Sequence, residues 1–424
     1  MPGYKLDFTD AKVRDCFVTM YGSDEAELMA QKARYEKLAD WHAELFGERG
    51  DGFFVSAPGR TELAGNHTDH NNGLVLAASV NMDTVAYVTP NDKNVVTVYS
   101  EGWPTPFVID LGDLEPHADE RETTSALIRG VAARMSELGY RVGGFDAAVT
   151  STVFRGSGLS SSAALEVMIC GVFDGIYNGF AIDPVERAKI SQYAENVFVG
   201  KPCGLLDQTA CSVGGLVTID FGHGADVSAM RFDFDAAGYV PIVVSAGGEH
   251  GNLTGEYAAI PAEMKSVAQA LGGRVLRDID PEDMYDRIPE LKGKVTDRAI
   301  LRALHFYDEN TRVTQAVEAL RNDSVKGFLD ALVASGESSW KLLQNLYVAG
   351  SANEEMPLAL EMSRRMLEGR GAWRIHGGGF AGTILAFVPK DLFVDYKRRM
   401  DAVFGEGAVT QLRIRPVGCV MLRP

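Results

Sequence analysis

Three polar clusters in the sequence hold residue types that could do chemistry. The stretch Phe154-Arg155-Gly156-Ser157-Gly158-Leu159-Ser160-Ser161-Ser162 joins a β-branched segment to the apolar run AALEVMICGVF. Glycine lets the backbone approach an anion closely, and a helix start offers unpaired N–H groups and a partial charge of roughly +0.5. Such a loop suits a phosphate group. It suits a tight strand-to-helix turn capped by a hydroxyl equally well, and taken alone it leaves both readings open. It carries neither the GxxxxGK[ST] pattern nor a full GxGxxG.

The second cluster, Gly59-Arg60-Thr61-Glu62-Leu63-Ala64-Gly65-Asn66-His67-Thr68-Asp69-His70-Asn71-Asn72-Gly73, gathers Arg, Asn, His and Asp between strand-like runs. These side chains match the donors and acceptors of a polyhydroxylated ligand such as a sugar. A polar turn rich in Asn, Asp and Gly is the alternative. His67, Asp69 and His70 do not suggest a metal site, because nothing nearby in sequence completes a ligand set. The third cluster, Ala194-Glu195-Asn196-Val197-Phe198-Val199-Gly200-Lys201-Pro202-Cys203-Gly204-Leu205-Leu206-Asp207-Gln208, ends one helix and begins another. By itself, Asp207 reads most simply as a helix cap.

The elements that must position these clusters can be read from periodicity and punctuation. Leu28, Tyr35, Leu38, Trp41 and Leu45 recur at helical spacing over residues 24–47, with Gly47 as a stop. From residue 53 the pattern turns to strand: a run into a turn at FFVSAPGR, then LVLAASV (74–80), TVAYVTP (84–90) and NVVTVYS (94–100) as separate strands. A helix is expected near 124–138 and a strand at 145–153, leading into the glycine and serine loop. Ser160, Ser161 and Ser162 are expected to cap a buried helix. Asp183-Pro184-Val185-Glu186 predicts a helix running to about Val197. Beyond a strand at 240–247 lies a mainly helical region, 256–370, with starts at Asp280-Pro281, Thr296 and Asn322-Asp323-Ser324. Strand character returns over 373–388, followed by a helix near 390–404 and a strand around 409–415.

The 424 residues are 46% hydrophobic and 23% charged, the composition of an ordinary globular protein with room for roughly two or three domains. The net charge of −17 disfavours nucleic acid and anionic membrane as partners. A small phosphate site built from backbone N–H groups is still compatible with it. Cys16, Cys170, Cys203, Cys211 and Cys419 form no CxxC pair, which favours a reducing compartment over a disulfide framework or zinc site. No apolar run approaches the roughly 20 residues needed to span a bilayer. The expectation is a cytoplasmic protein.

Taken together and in order, the clusters resemble the GHMP small-molecule kinases, and within them the galactokinase family. GRTELAGNHTDHNNG resembles that family's sugar-binding signature, GSGLSSSAALEV its phosphate loop and AENVFVGKPCGLLDQ its catalytic segment. HGGGFAGT at 376–383 resembles its glycine-rich third motif. The resemblance covers about residues 45–424 and implies a two-domain α/β fold with the active site in the interdomain cleft. The expected N-terminal domain is 1–230, with 1–44 an added leading segment, and the C-terminal domain is 231–424.

The resemblance also implies roles. Asp207 and Arg60 would be catalytic, Asp207 orienting or accepting the proton of the sugar O1 hydroxyl and Arg60 holding it ionised. Asn66, His67, Asp69, Gly204 and Tyr257 would contact the sugar. Gly156, Ser157, Gly158, Leu159, Ser160, Ser161 and Ser162 would cradle ATP, and Ser162 and Glu195 would hold Mg²⁺. The implied partners are a small-molecule sugar and ATP, and the implied state is a monomer. The family motif reads Gly-Glu-His-Thr-Asp-Tyr where this chain has Gly65-Asn66-His67-Thr68-Asp69-His70. In the family that Glu contacts the C6 hydroxyl, so an amide there stays compatible with galactose and removes repulsion against the C6 carboxylate of galacturonate. On this basis Asn66→Glu is expected to leave or improve galactose turnover. A non-catalytic sugar and ATP sensor is the alternative from another functional class, and the intact Ser160–Ser162 run, Arg60 and Asp207 speak against it.

Overall fold

The computed structural model describes residues 4–47, 52–153, 158–201, 203–222, 224–247, 253–348, 350, 354–380 and 382–423. Among these residues the helices are α1 (Ala11–Tyr21), α2 (Glu25–Phe46), α3 (Thr124–Glu137), α4 (Ser161–Tyr177), α5 (Pro184–Tyr193), α6 (Leu206–Val213), α7 (Thr254–Ala270), α8 (Pro281–Asp286), α9 (Ile288–Leu291), α10 (Asp297–Arg321), α11 (Val325–Ser338), α12 (Glu355–Leu367) and α13 (Phe393–Phe404). The strands are β1 (Phe53–Ala64), β2 (Leu74–Pro90), β3 (Val95–Ser100), β4 (Phe107–Asp110), β5 (Phe145–Ser151), β6 (Leu216–Asp220), β7 (Asp226–Met230), β8 (Tyr239–Gly247), β9 (Ala372–Ile375), β10 (Gly382–Pro389), β11 (Val409–Gln411) and β12 (Val420–Leu422).

Two sheets organise them. The larger has the order β12-β1-β2-β5-β3-β4, with β6 and β7 branching from β2, and the smaller has the order β11-β8-β10-β9. All neighbours are antiparallel except β3 with β5. Alternation along β1 sends Phe53, Val55 and Ala57 into a core shared with α3 and α4, and Phe54 into a second core under α1 and α2. Val240, Ile242 and Val244 of β8 pack with residues of α12 and α13, while Val243 joins a cluster with α10 and α11. No helix among the described residues is long and apolar enough to cross a membrane.

Residues 74–90, expected as two strands, form the single strand β2. Asp83, which lies between the two expected strands, is fully buried and ion-paired, so the strand runs through it. β2 changes partners along its length: Thr84–Pro90 pair with β5, and Leu74–Ala78 with β6. Opposite the change, the β1 register slips from Pro58↔Asp83 to Arg60↔Ser79. Such a bulge re-aims the side chains that follow it, and Arg60 is the first of them.

Helix α1 and strands β4, β6, β7 and β12 were not expected from sequence. The strands are three to five residues long, too short to show a clear alternation. The strand expected at 409–415 ends at Gln411. The helix expected to continue to Val197 ends at Tyr193, and Ala194–Val199 form a π-helical turn closed by Gly200 in the left-handed region.

Candidate active site

Arg60, just past the β1 bulge, meets Asp207 on the first turn of α6. The contact is bidentate: Arg60 Nε donates to Asp207 Oδ1 at 2.7 Å and Nη2 to Oδ2 at 2.8 Å. The planar guanidinium fork matches a carboxylate, which makes this geometry stronger and more directional than a single contact. The Asp207 side chain is 34% exposed, so it remains reachable from solvent. Burial pushes its carboxyl up, but the charge and hydrogen bonds of Arg60, with the Ser160 hydroxyl, hold it below the usual carboxylate value.

Asp207 is also tied to the glycine and serine loop. Arg60 Nη1 donates to the Gly158 carbonyl, Arg60 N donates to the Leu159 carbonyl at 3.0 Å, and the Ser160 hydroxyl donates to Asp207 Oδ2. Ser160 lies in the left-handed region at φ 58° and its side chain makes no cap bond. The expected hydroxyl cap is therefore absent at Ser160, whose oxygen serves the carboxylate instead. Ser161 opens α4, and Ser162 donates to Glu195 Oε1 at 3.3 Å. Gly156 and Ser157 lie outside the described residues. A Cβ on Gly158 would sit 2.7 Å from His376 Nδ1, which shows how closely the HGGG segment packs on this loop.

Around Glu195 the donors converge. Lys201 Nζ lies 3.2 Å from Oε1, and Gln208 Nε2 donates to Oε2 at 2.7 Å and to Glu166 Oε2 at 3.0 Å. Burial drives the Glu166 carboxyl far up, reinforced by the charge of Glu195. Glu166 and Gln208 were not anticipated. Glu166 follows Ser162 by four residues on α4, so helical spacing places it on the same face and could have revealed it. No group of three or more His, Cys, Asp or Glu residues that could hold a metal ion occurs among the described residues. Ser162 and Glu195 nevertheless offer a hydroxyl and a carboxylate side by side. Two oxygen ligands with the rest left to phosphate and water suit a hard divalent cation such as Mg²⁺.

The loop that follows β1 adjoins the segment leading to Asp207. Asp69 begins a 3-10 turn, Asp69–Asn71, and a Cβ on Gly204 would lie 1.8 Å from Asp69 Oδ2. That contact brings Asp69 beside the segment leading to Asp207. His67, at φ 57°, makes a 2.9 Å hydrogen bond from Nε2 to the Gly378 carbonyl. Tyr257 on α7 donates from its hydroxyl to the Gly379 carbonyl at 2.8 Å. Burial pushes the His67 imidazole below its usual value, which favours the neutral ring. Asn66 is 1% exposed and bonded within the protein to Glu62, Gly377, Ser339 and Asn345. Hydrogen bonds thus join Asp207, Arg60 and residues 158–160, Asp69 packs against Gly204, and His67 and Tyr257 both bond the glycine segment at 378–379, with Asn66 buried behind it.

Comparisons with known proteins identify the family. The family profile described as galactokinase galactose-binding signature matches residues 40–90, and that for the GHMP kinases N terminal domain matches 126–215. Galactokinase from Glaesserella parasuis serovar 5 is 33% identical over 342 residues, 80% of this chain and 85% of that protein. The chain belongs to the galactokinase family. Galactokinase from Streptomyces coelicolor is 31% identical over 351 residues, 81% of this chain and 86% of its own length. Among solved structures, Lactococcus lactis galactokinase complexed with galactose superposes with a TM-score of 0.80 at 23% identity, covering 91% of this chain and 99% of that one. Methanococcus jannaschii mevalonate kinase follows at 0.62 and 13% identity, covering 87% and 99%. These two likenesses establish the α/β GHMP kinase fold. The galactokinase-family signature falls on the loop that carries Arg60 and Asp69, and the N-terminal domain profile on the segment that carries Ser160 and Asp207.

Proposed function

We propose that this chain is an ATP-dependent sugar 1-kinase that converts α-D-galactose to α-D-galactose 1-phosphate. The observation that carries the reading is the bidentate Arg60–Asp207 pair, tied through Ser160 and Gly158 to the phosphate loop in a chain of the galactokinase family. Residues 1–230 and 231–424 would make up its two domains, except that the last strand, β12, returns to the larger sheet beside β1, and the reaction would lie between them.

In this reading Asp69, His67, Tyr257 and the Gly204 backbone hold the sugar so that O1 points at Asp207. The loop of residues 156–162 holds the phosphates through backbone N–H groups and the start of α4. Ser162 and Glu195 would hold Mg²⁺, which supplies charge neutralisation on the phosphate oxygens. The bond from the γ-phosphorus to ADP breaks and a bond to O1 forms. The O1 proton passes to Asp207 Oδ1, the oxygen that Ser160 leaves open. A carboxylate held ionised by Arg60 is a weak base, so it orients O1 and takes the proton late, as a loose phosphoryl-transfer transition state allows.

The test is ADP release with ATP and Mg²⁺ across galactose, galacturonate, glucose, N-acetylgalactosamine and arabinose. Preference for galactose is expected. Preference for galacturonate would reassign the substrate, and thermal stabilisation by sugar and ATP without turnover would make the protein a sensor. Gly204→Ala provides a second check. The added methyl collides with Asp69, an overpacking that costs about 1–3 kcal/mol. The galactose KM is expected to rise by about tenfold with the ATP KM unchanged, and an unchanged galactose KM would remove Asp69 and Gly204 from the sugar site.

A further inference from the structure

Asn66 stands where the family signature carries a carboxylate, yet its side chain has no bond left to offer a sugar. Its amide nitrogen donates to Glu62 Oε1 at 2.9 Å and to the Gly377 carbonyl at 2.8 Å. Its amide oxygen accepts from Asn345 Nδ2 at 2.9 Å and Ser339 Oγ at 3.3 Å. An Asn side chain has two donor hydrogens and two acceptor lone pairs, and all four are engaged. The backbone carbonyl of Asn66 receives a further bond from His305 Nε2 at 2.9 Å.

The partners of Asn66 are the elements that shape the sugar wall. Asn345 also donates to the Gly378 carbonyl at 3.1 Å, and its own carbonyl accepts from Phe380 N at 2.6 Å. The glycine loop at 377–380 is thereby fixed from behind. Its front presents the Gly378 carbonyl to His67 and the Gly379 carbonyl to Tyr257. Displacing Asn66 therefore moves the anchors of two sugar-facing side chains.

We propose that Asn66 is a positioning residue, a latch between the sugar loop and the glycine loop, and that Glu62 dictates an amide rather than a carboxylate at position 66. Glu62 is 7% exposed and shares its Oε1 between Asn66 and Arg374, whose Nη2 lies 2.9 Å away. Burial already pushes its carboxyl up to about 7 despite Arg374 and Arg60. A second carboxylate at position 66 would face Glu62 and the Gly377 carbonyl with no hydrogen to give either. Buried like charges in contact disfavour one another strongly. The geometry thus reverses the sequence-based expectation that Asn66→Glu is harmless. The latch rests on the galactose reading only for its kinetic test.

The experiment is a cycle of four proteins: the unmodified chain, Asn66→Glu, Glu62→Gln, and the double variant Glu62→Gln/Asn66→Glu. Melting temperature is measured for each, with galactose KM, ATP KM and kcat. Asn66→Glu is expected to lower the melting temperature and raise the galactose KM by about tenfold or more, leaving the ATP KM unmoved. The double variant is expected to return to within about twofold of Glu62→Gln alone, because coupled neighbours are non-additive. Should Asn66→Glu fail to fold, Asn345→Ala loosens the same latch without adding charge and is expected to raise the galactose KM with the ATP KM unmoved. Asn66→Glu with wild-type melting and equal or better galactose turnover would overturn the proposal. So would additive melting-temperature losses in the double variant. If the unmodified chain turns over no galactose, the kinase reading fails separately, and the melting cycle still decides the latch.

Discussion

Asp207→Asn is expected to lower phosphoryl transfer by about 10²–10⁴-fold while ATP binding, measured by calorimetry, is retained. The substitution keeps the shape of the side chain, so the loss isolates its charge and acceptor capacity. Arg60 would face an amide in place of a bidentate carboxylate, and the Ser160 hydroxyl would lose its charged acceptor. The oxygen that receives the O1 proton would then be absent or occupied. The loop proposed to hold the phosphates keeps its backbone N–H groups, which is why nucleotide affinity should survive. A variant retaining more than about a tenth of the rate would fall outside the range for acid–base assistance and require another role for Asp207.

Asp83→Ala is expected to destabilise the protein by about 3–5 kcal/mol, a large share of the 5–15 kcal/mol typical of a whole fold. Asp83 is fully buried and accepts from Arg34 Nη1 at 2.7 Å, Arg415 Nη1 at 3.1 Å, the Tyr21 hydroxyl at 2.6 Å and the Ser56 hydroxyl at 2.5 Å. One carboxylate thus joins α1, α2, β1, β2 and the segment preceding β12. Its removal strands Arg415, which is fully buried, and Arg34, whose side chain is 16% exposed. Burial raises the Asp83 carboxyl, but Arg34 and Arg415 outweigh this and hold it below its usual value. A depressed folded pKa contributes stability that is present above the ordinary aspartate value of about 3.9 and is lost as pH falls through the folded one. Urea unfolding of Asp83→Ala and the parent at pH 7 gives the difference directly. A loss under about 1 kcal/mol would show that the leading helices are an appendage rather than part of the core.

That network also marks where the sequence stops being legible. Helix starts written in adjacent residues are plain: Asp183 caps Val185 N at 2.8 Å and Glu186 N at 3.3 Å, and Asp280, Thr296 and Ser324 accept from their own first turns. The motif residues likewise meet in pairs, Arg60 against Asp207 and Asp69 against Gly204. Residues whose partners lie far along the chain are not legible in this way. Asp83 reads locally as a turn former, and only Arg34 and Arg415 make it tolerable inside a strand. Ser160 reads as a cap until Asp207 claims its hydroxyl. Asn66 reads as a sugar contact until Glu62, Ser339, Asn345 and Gly377 take all four of its bonds. In each case local chemistry names the group correctly and tertiary packing chooses its partner.

The pairing of β12 with β1, Phe54 opposite Leu422 and Ser56 opposite Val420, has a consequence for how the protein is made. During synthesis β1 leaves the ribosome first, and its partner on that side follows about 370 residues later, roughly 20–70 s at ordinary elongation rates. For that interval one edge of the larger sheet exposes unpaired N–H and C=O groups, the arrangement that most readily recruits a foreign strand. Arg415, which completes the charge around Asp83, arrives just as late. A nascent chain of this protein therefore holds Ser160 and Asp207 before it can close the sheet beneath them, so chaperone binding should concentrate on that open edge.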